Sequence, residues 1–93
     1  MLVHYNIKVI GKVQGVWYRD STKRKAIELG IKGFICNEPD GSVYIEAEGA
    51  ENNLKRLVDW CYEGPPHAKV VKVDFTKGGM KGFKGFEISR SRF

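Results

Sequence analysis

The sequence predicts an α+β fold, a ferredoxin-like split β-α-β sandwich in which an antiparallel sheet carries two helices on one face. Three observations lead there. Apolar and polar residues alternate along residues 3–9, 43–47 and 71–75, and a short apolar run occupies 34–37; period two marks half-buried strands. Two intervening segments carry apolar residues at helical spacing instead. Their order reads β-α-β-β-α-β with a short terminal strand, and 93 residues suffice for one domain spanning 1–93.

Each element has its own signal. In the first strand Val3, Tyr5, Ile7 and Val9 face inward, and His4, Asn6 and Lys8 outward. The pattern stops at Gly11, and residues 12–18 have no clear period. Asp20, Ser21 or Thr22 is expected to cap a helix with Thr22, Ala26 and Leu29 on its inner face, supported by Ile27, and Gly30 ends it. After the second strand, Glu38-Pro39-Asp40-Gly41 is turn chemistry, which makes a hairpin with a third strand. There Val43, Ile45 and Ala47 alternate with Tyr44, Glu46 and Glu48. Ala50, Leu54, Leu57, Val58 and Cys61 follow helical spacing, and Gly64-Pro65-Pro66 stops that helix. Val71, Val73 and Phe75 form a fourth inward-facing row, residues 77–82 a basic glycine-rich loop, and 83–89 a last short strand.

Composition narrows the class. Apolar residues make up 42% and charged residues 29%, which excludes a disordered chain. Cys36 and Cys61 are too few for a disulfide scaffold, leaving one bridge or two free thiols. No apolar run approaches the roughly 18 residues of a membrane span, and residues 1–12 lack a signal-peptide core. The expectation is a soluble, cytoplasmic monomer. Net charge is +5, with seven cations against six anions in residues 1–49 and nine against five in 50–93. Lys69, Lys72, Lys77, Lys81, Lys84, Arg90 and Arg92 supply most of the second excess. They point to an anionic partner, or merely keep an exposed edge strand soluble.

The segment that folding explains least is 11–19, Gly-Lys-Val-Gln-Gly-Val-Trp-Tyr-Arg. It leaves a strand, spaces two glycines four apart and enters a helix. Inward-turned amides in such a loop form a nest of donors, to which the helix dipole adds positive charge. Arg19 is disfavoured at a helix start for stability, but a bound phosphate would resolve that conflict. The loop is not a Walker motif, since no Gly-Lys-Ser/Thr follows. Asn37 ends the second strand at the same sheet edge, roughly 10 Å away across one intervening strand; it either reaches the ligand or leads the turn. His4 and His67 have no partners at metal-ligand spacing, so no metal is expected. Cys36 reads as a thiol near the site and Cys61 as a core residue. Trp17, Tyr18, Phe34 and Phe86 are either a base-stacking platform or core and rim aromatics.

These residues resemble the acylphosphatase family. Val-Gln-Gly-Val at 13–16 with Arg19 is similar to its phosphate-binding signature, and Gly33, Phe34, Asn37, Gly41, Val43 and Gly49 to its second motif. Gly64-Pro65, Ala68, Val70 and Gly85-Phe86-Glu87-Ile88 extend the likeness over essentially the whole chain. Tyr18, Ile35 and Cys36 depart from the family's usual residues. The resemblance implies hydrolysis of acyl phosphates to a carboxylate and inorganic phosphate, without metal or cofactor. It makes Arg19 the phosphate-binding arginine, assisted by the backbone amides of Gln14, Gly15, Val16, Trp17, Tyr18 and Arg19, and Asn37 the residue that orients the attacking water. The partner is then a small-molecule acyl phosphate, with no nucleic acid and no membrane. The competing reading is a basic ferredoxin-like nucleic-acid-binding module, whose third-strand signature Lys81-Gly-Phe-Lys-Gly-Phe86 imitates only loosely and at the wrong place. An acyl-phosphate-binding domain of a larger carbamoyl-transfer enzyme is a third.

Overall fold

The computed structural model describes residues 1–92. Its elements are β1 (Leu2–Lys12), α1 (Tyr18–Glu28), β2 (Lys32–Asn37), β3 (Val43–Ala50), α2 (Glu51–Glu63), β4 (Lys69–Gly78) and β5 (Phe86–Ile88), in the expected order. The sheet runs β4-β1-β3-β2-β5. β1 and β2 both pair antiparallel with β3, so they run the same way and end at one edge of the sheet. That edge is where Arg19 and Asn37 were expected to meet.

The sheet is not purely antiparallel, which corrects the expectation. β5 pairs parallel with β2, placing Phe86 opposite Gly33 and Ile88 opposite Ile35. The cause is topological. β4 occupies one edge, and the chain after it crosses the sheet and reverses before reaching the other.

The helix-facing side follows the alternation read from the sequence. Tyr5, Ile7 and Val9 lie opposite Ala47, Ile45 and Val43, and all are buried with Ile35, Leu54, Leu57, Val58 and Cys61. In α1 the buried stripe is Tyr18, Thr22 and Ala26, one every four residues. Ile27 lies off that stripe and is exposed, so it does not support the inner face. β4 departs from simple alternation. Ile10 pairs with Lys72 and Gly11 with Val70, which leaves Val71 as the extra residue of a bulge. Val71 is therefore exposed, and Val70 packs on the core in its place. Gly11 is required here: its φ is +138°, and a Cβ would lie 2.2 Å from the Lys69 carbonyl oxygen.

Part of the face that the alternation turns outward is covered rather than wet. Glu46 and Glu48 are each only 4% exposed, and His4 is buried between them. The crossing between β4 and β5 covers them: Glu48 accepts from the amides of Lys81 (2.6 Å), Gly82 (3.0 Å) and Phe83 (3.2 Å). His4 Nδ1 lies 2.7 Å from Glu48 Oε2, and its ring stacks on Phe83. Lys81 Nζ sits 2.7 Å from Glu46. Burial alone would push the Glu48 carboxyl up, but the loop amides and His4 outweigh it and hold it below its ordinary 4.5.

A carboxyl depressed in the folded state stabilises the protein above its unfolded pKa, and that stabilisation is lost as pH falls through the folded value. Urea unfolding should therefore show declining stability below about pH 4.5. Glu48→Gln should cost about 2–3 kcal/mol at neutral pH, because the loop amides lose a charged acceptor, and should remove part of that acid dependence.

Candidate active site

The loop between β1 and α1 is fastened at both ends and open in the middle. Val13 and Val16 are buried in the core. The Gln14 carboxamide donates to the carbonyl oxygens of Glu38 and Ser42, both at 2.9 Å, so its side chain stitches the loop to the turn that follows Asn37. Gly15 has φ +72° and open space where a Cβ would stand. The conformation favours glycine, and the vacant side lets a ligand approach the backbone.

Trp17 also lies in the left-handed region, at φ +67°, and is 77% exposed. A side chain there costs about 1–2 kcal/mol. The turn brings the chain into helical register at Tyr18, ahead of the expected cap. Asp20, Ser21 and Thr22 therefore lie inside α1, and no side chain caps the helix. Ser21 N donates to Trp17 O in the first helical bond. The amides of Tyr18, Arg19 and Asp20 have no acceptor within the helix, so the first turn presents donors to whatever occupies the loop. Asp20 stays in the first turn, where a carboxylate is favoured, and pairs with Arg24 at 3.2 Å.

Tyr18 itself is an anchor. Its hydroxyl donates to the Cys61 carbonyl oxygen at 2.7 Å, and its ring packs on Trp60; burial pushes its hydroxyl pKa far above the ordinary 10.0. It stands four residues before Thr22 on one helix face, a signal the sequence contained.

A cavity of about 320 Å³ opens here, lined by Val13, Gly15, Trp17, Tyr18, Arg19, Asp20 and Ile88. That is the small end of the roughly 300–1,000 Å³ of ligand pockets. Gln14, Val16 and Asn37 do not line it. Asn37 ends β2 opposite the core residue Val43, and α1 packs on both β2 and β5. Its Oδ1 is buried without a hydrogen-bond partner among the described residues. Leaving such an acceptor unpaired costs about 1–3 kcal/mol, so folding alone does not account for it.

Cys36 lies on the opposite face, paired with Tyr44. Burial pushes its thiol up, Glu38 adds to this, and Arg92 and Arg19 oppose it. Both cysteines are buried and unbridged, and burial pushes Cys61 up to about 12. The aromatic platform does not form: Tyr18 and Phe86 are core, Trp17 is exposed, and Phe34 packs on Tyr44 and Phe83 across the sheet. Among the described residues, four of the seven cations of the basic stretch are paired internally, Lys72, Lys77, Lys81 and Arg92 with Asp74, Glu51, Glu46 and Glu38.

A family model described as acylphosphatase matches residues 5–88. An acylphosphatase of Acaryochloris marina is 46% identical over 82 residues, 88% of either chain. The solved acylphosphatase of Coxiella burnetii superposes with TM-score 0.92 at 33% identity, over 95% of this chain and 93% of its own. That of Bacillus subtilis gives TM-score 0.91 at 37% identity, over 96% and 99%. Loop, strand edge and the match over 5–88 agree, and the chain belongs to the acylphosphatase family.

Proposed function

We propose that the acyl phosphate hydrolysis carried out by this enzyme runs through Arg19, the loop amides and Asn37. The carrying observation is an uncapped helix start beside Arg19, together with the unpartnered Oδ1 of Asn37 at the end of β2 on the same sheet edge. The amides from Gln14 to Arg19 and the Arg19 guanidinium take the phosphoryl oxygens. Guanidinium matches two of them at once. Phosphoryl transfer depends mainly on positioning and charge stabilisation, which this arrangement supplies from fixed dipoles and one cation.

Asn37 Oδ1 accepts a hydrogen bond from water and aims its lone pair at phosphorus. The water oxygen bonds to phosphorus as the bond from phosphorus to the acyl oxygen breaks, and the carboxylate leaves with that electron pair. A phosphoryl oxygen of the substrate takes the water's proton, so the enzyme supplies no base. The carboxylate leaving group needs no strong acid. One chain contributes every residue of this site, so a monomer suffices, and neither metal nor nucleic acid is required.

The test is benzoyl phosphate hydrolysis in EDTA. Arg19→Ala and Asn37→Ala should each lower kcat by about 10²–10³-fold while urea midpoints stay close to wild type. Inorganic phosphate should cease to inhibit through a cradle lacking Arg19 and should still inhibit Asn37→Ala. Near-full activity in Arg19→Ala contradicts the assignment, as does a pH–rate profile showing an essential enzyme base near neutrality. Gln14→Ala removes two loop-to-turn hydrogen bonds and should cost about 1–2 kcal/mol of stability, read by the same urea unfolding.

A further inference from the structure

The chain after β5 doubles back over the sheet. Ser89 N donates to the Ile35 carbonyl oxygen at 2.8 Å, and Ser89 Oγ to the Ser91 carbonyl oxygen at 2.7 Å. Arg92 is thereby laid across the hairpin that holds Asn37. Its guanidinium carbon lies 3.9 Å from the centroid of the Tyr44 ring. Its Nε donates to Glu38 Oε1 at 2.8 Å, and a second nitrogen reaches the same oxygen. The Glu38 side chain is only 13% exposed.

Glu38 directly follows Asn37, and its backbone is pinned. Its amide donates to Ser42 O at 2.9 Å, and its carbonyl accepts from Gly41 N and from Gln14. Arg92 supplies the side-chain restraint from the opposite face. Exposed ion pairs contribute little, but a planar guanidinium stacked on a ring, hydrogen-bonded through Nε and ion-paired through a second nitrogen to one oxygen of a mostly buried carboxylate, fixes orientation as well as distance. Lysine offers neither the plane nor the fork.

We infer that Arg92 is a positioning residue for the hydrolysis: clamped between Glu38 and Tyr44, it holds the β2–β3 turn so that the Asn37 carboxamide keeps its aim on the attacking water. This rests on the assignment of Asn37 given above. A group acting only through water alignment affects kcat and leaves phosphate binding alone. A cation that merely attracts the anionic substrate affects KM.

The experiment measures benzoyl phosphate kinetics and inhibition by inorganic phosphate for Arg92→Ala, Arg92→Lys, Glu38→Gln, Asn37→Ala and Arg92→Ala/Asn37→Ala, with urea midpoints for each. Arg92→Ala and Glu38→Gln should each lower kcat about tenfold, with KM and the phosphate inhibition constant within about twofold of wild type. The two changes shift net charge in opposite directions, so equal losses identify geometry as the cause. Arg92→Lys should rescue little, and Arg92→Ala should add nothing to the loss in Asn37→Ala. The inference is overturned if Arg92→Ala and Glu38→Gln keep wild-type kcat, if they move KM in opposite directions, or if the double variant multiplies the losses. An inactive Asn37→Ala beside unaffected Arg92 and Glu38 variants sinks this inference alone. An active Asn37→Ala sinks the Asn37 assignment and this inference with it.

Discussion

Helix α1 begins without a cap, and much of the surrounding structure keeps it so. A helix start usually recruits Ser, Thr, Asp or Asn to satisfy its first amides; here a left-handed tryptophan occupies that place. The cost is about 1–2 kcal/mol, and the return is a cluster of donors beside Arg19 that no side chain of the helix start occupies. Val13 and Val16 root the loop in the core, and Tyr18 bolts the first helical turn to α2 through the Cys61 carbonyl. Gln14 ties the same loop to the turn after Asn37. The loop and the turn after Asn37 are thus coupled by hydrogen bonds outside the cavity itself.

The sheet's second face extends this logic. A loop rich in lysine and glycine would be a loose crossing, yet the carboxylate of Glu48 gathers three of its amides while His4 backs it. The crossing then delivers β5 beside β2, which places Ile88 in the cavity wall. Part of the positive charge of the second half of the chain serves the fold: among the described residues, four of its nine cations are ion-paired. Their partners are Glu46, Glu51, Asp74 and Glu38.

The elements that local patterning specifies were legible in the sequence. Val3 to Val9, Val43 to Ala47 and the stripe of α2 bury the residues that their periods assign to the core. The proposed site rests in the sequence on an arginine at a helix start after spaced glycines, which folding does not explain, and on an asparagine expected at the same sheet edge. What escaped depends on contacts distant in sequence. Val71 looks like a core residue until the Gly11 bulge shifts the register. Glu46 and Glu48 look like a wet face until residues 81–83 fold over them. The helix start moved from the Asp20–Thr22 caps to Tyr18 because a left-handed tryptophan, which propensity rules disfavour, sits where a capping side chain was expected. Gln14 and Arg92 carry ordinary surface residue types, and only the fold shows that both meet Glu38.

The central claim is that the start of α1 and its preceding loop form the anion cradle. Titrating the ¹⁵N-labelled protein with inorganic phosphate in EDTA and following its backbone amide resonances addresses it most directly. Saturable shifts should concentrate at residues 14–20, with the Arg19 side-chain resonance moving in step and the amide of Gly15 among the largest. Shifts confined to the lysine-rich residues 69–92, or none that saturate, would contradict it.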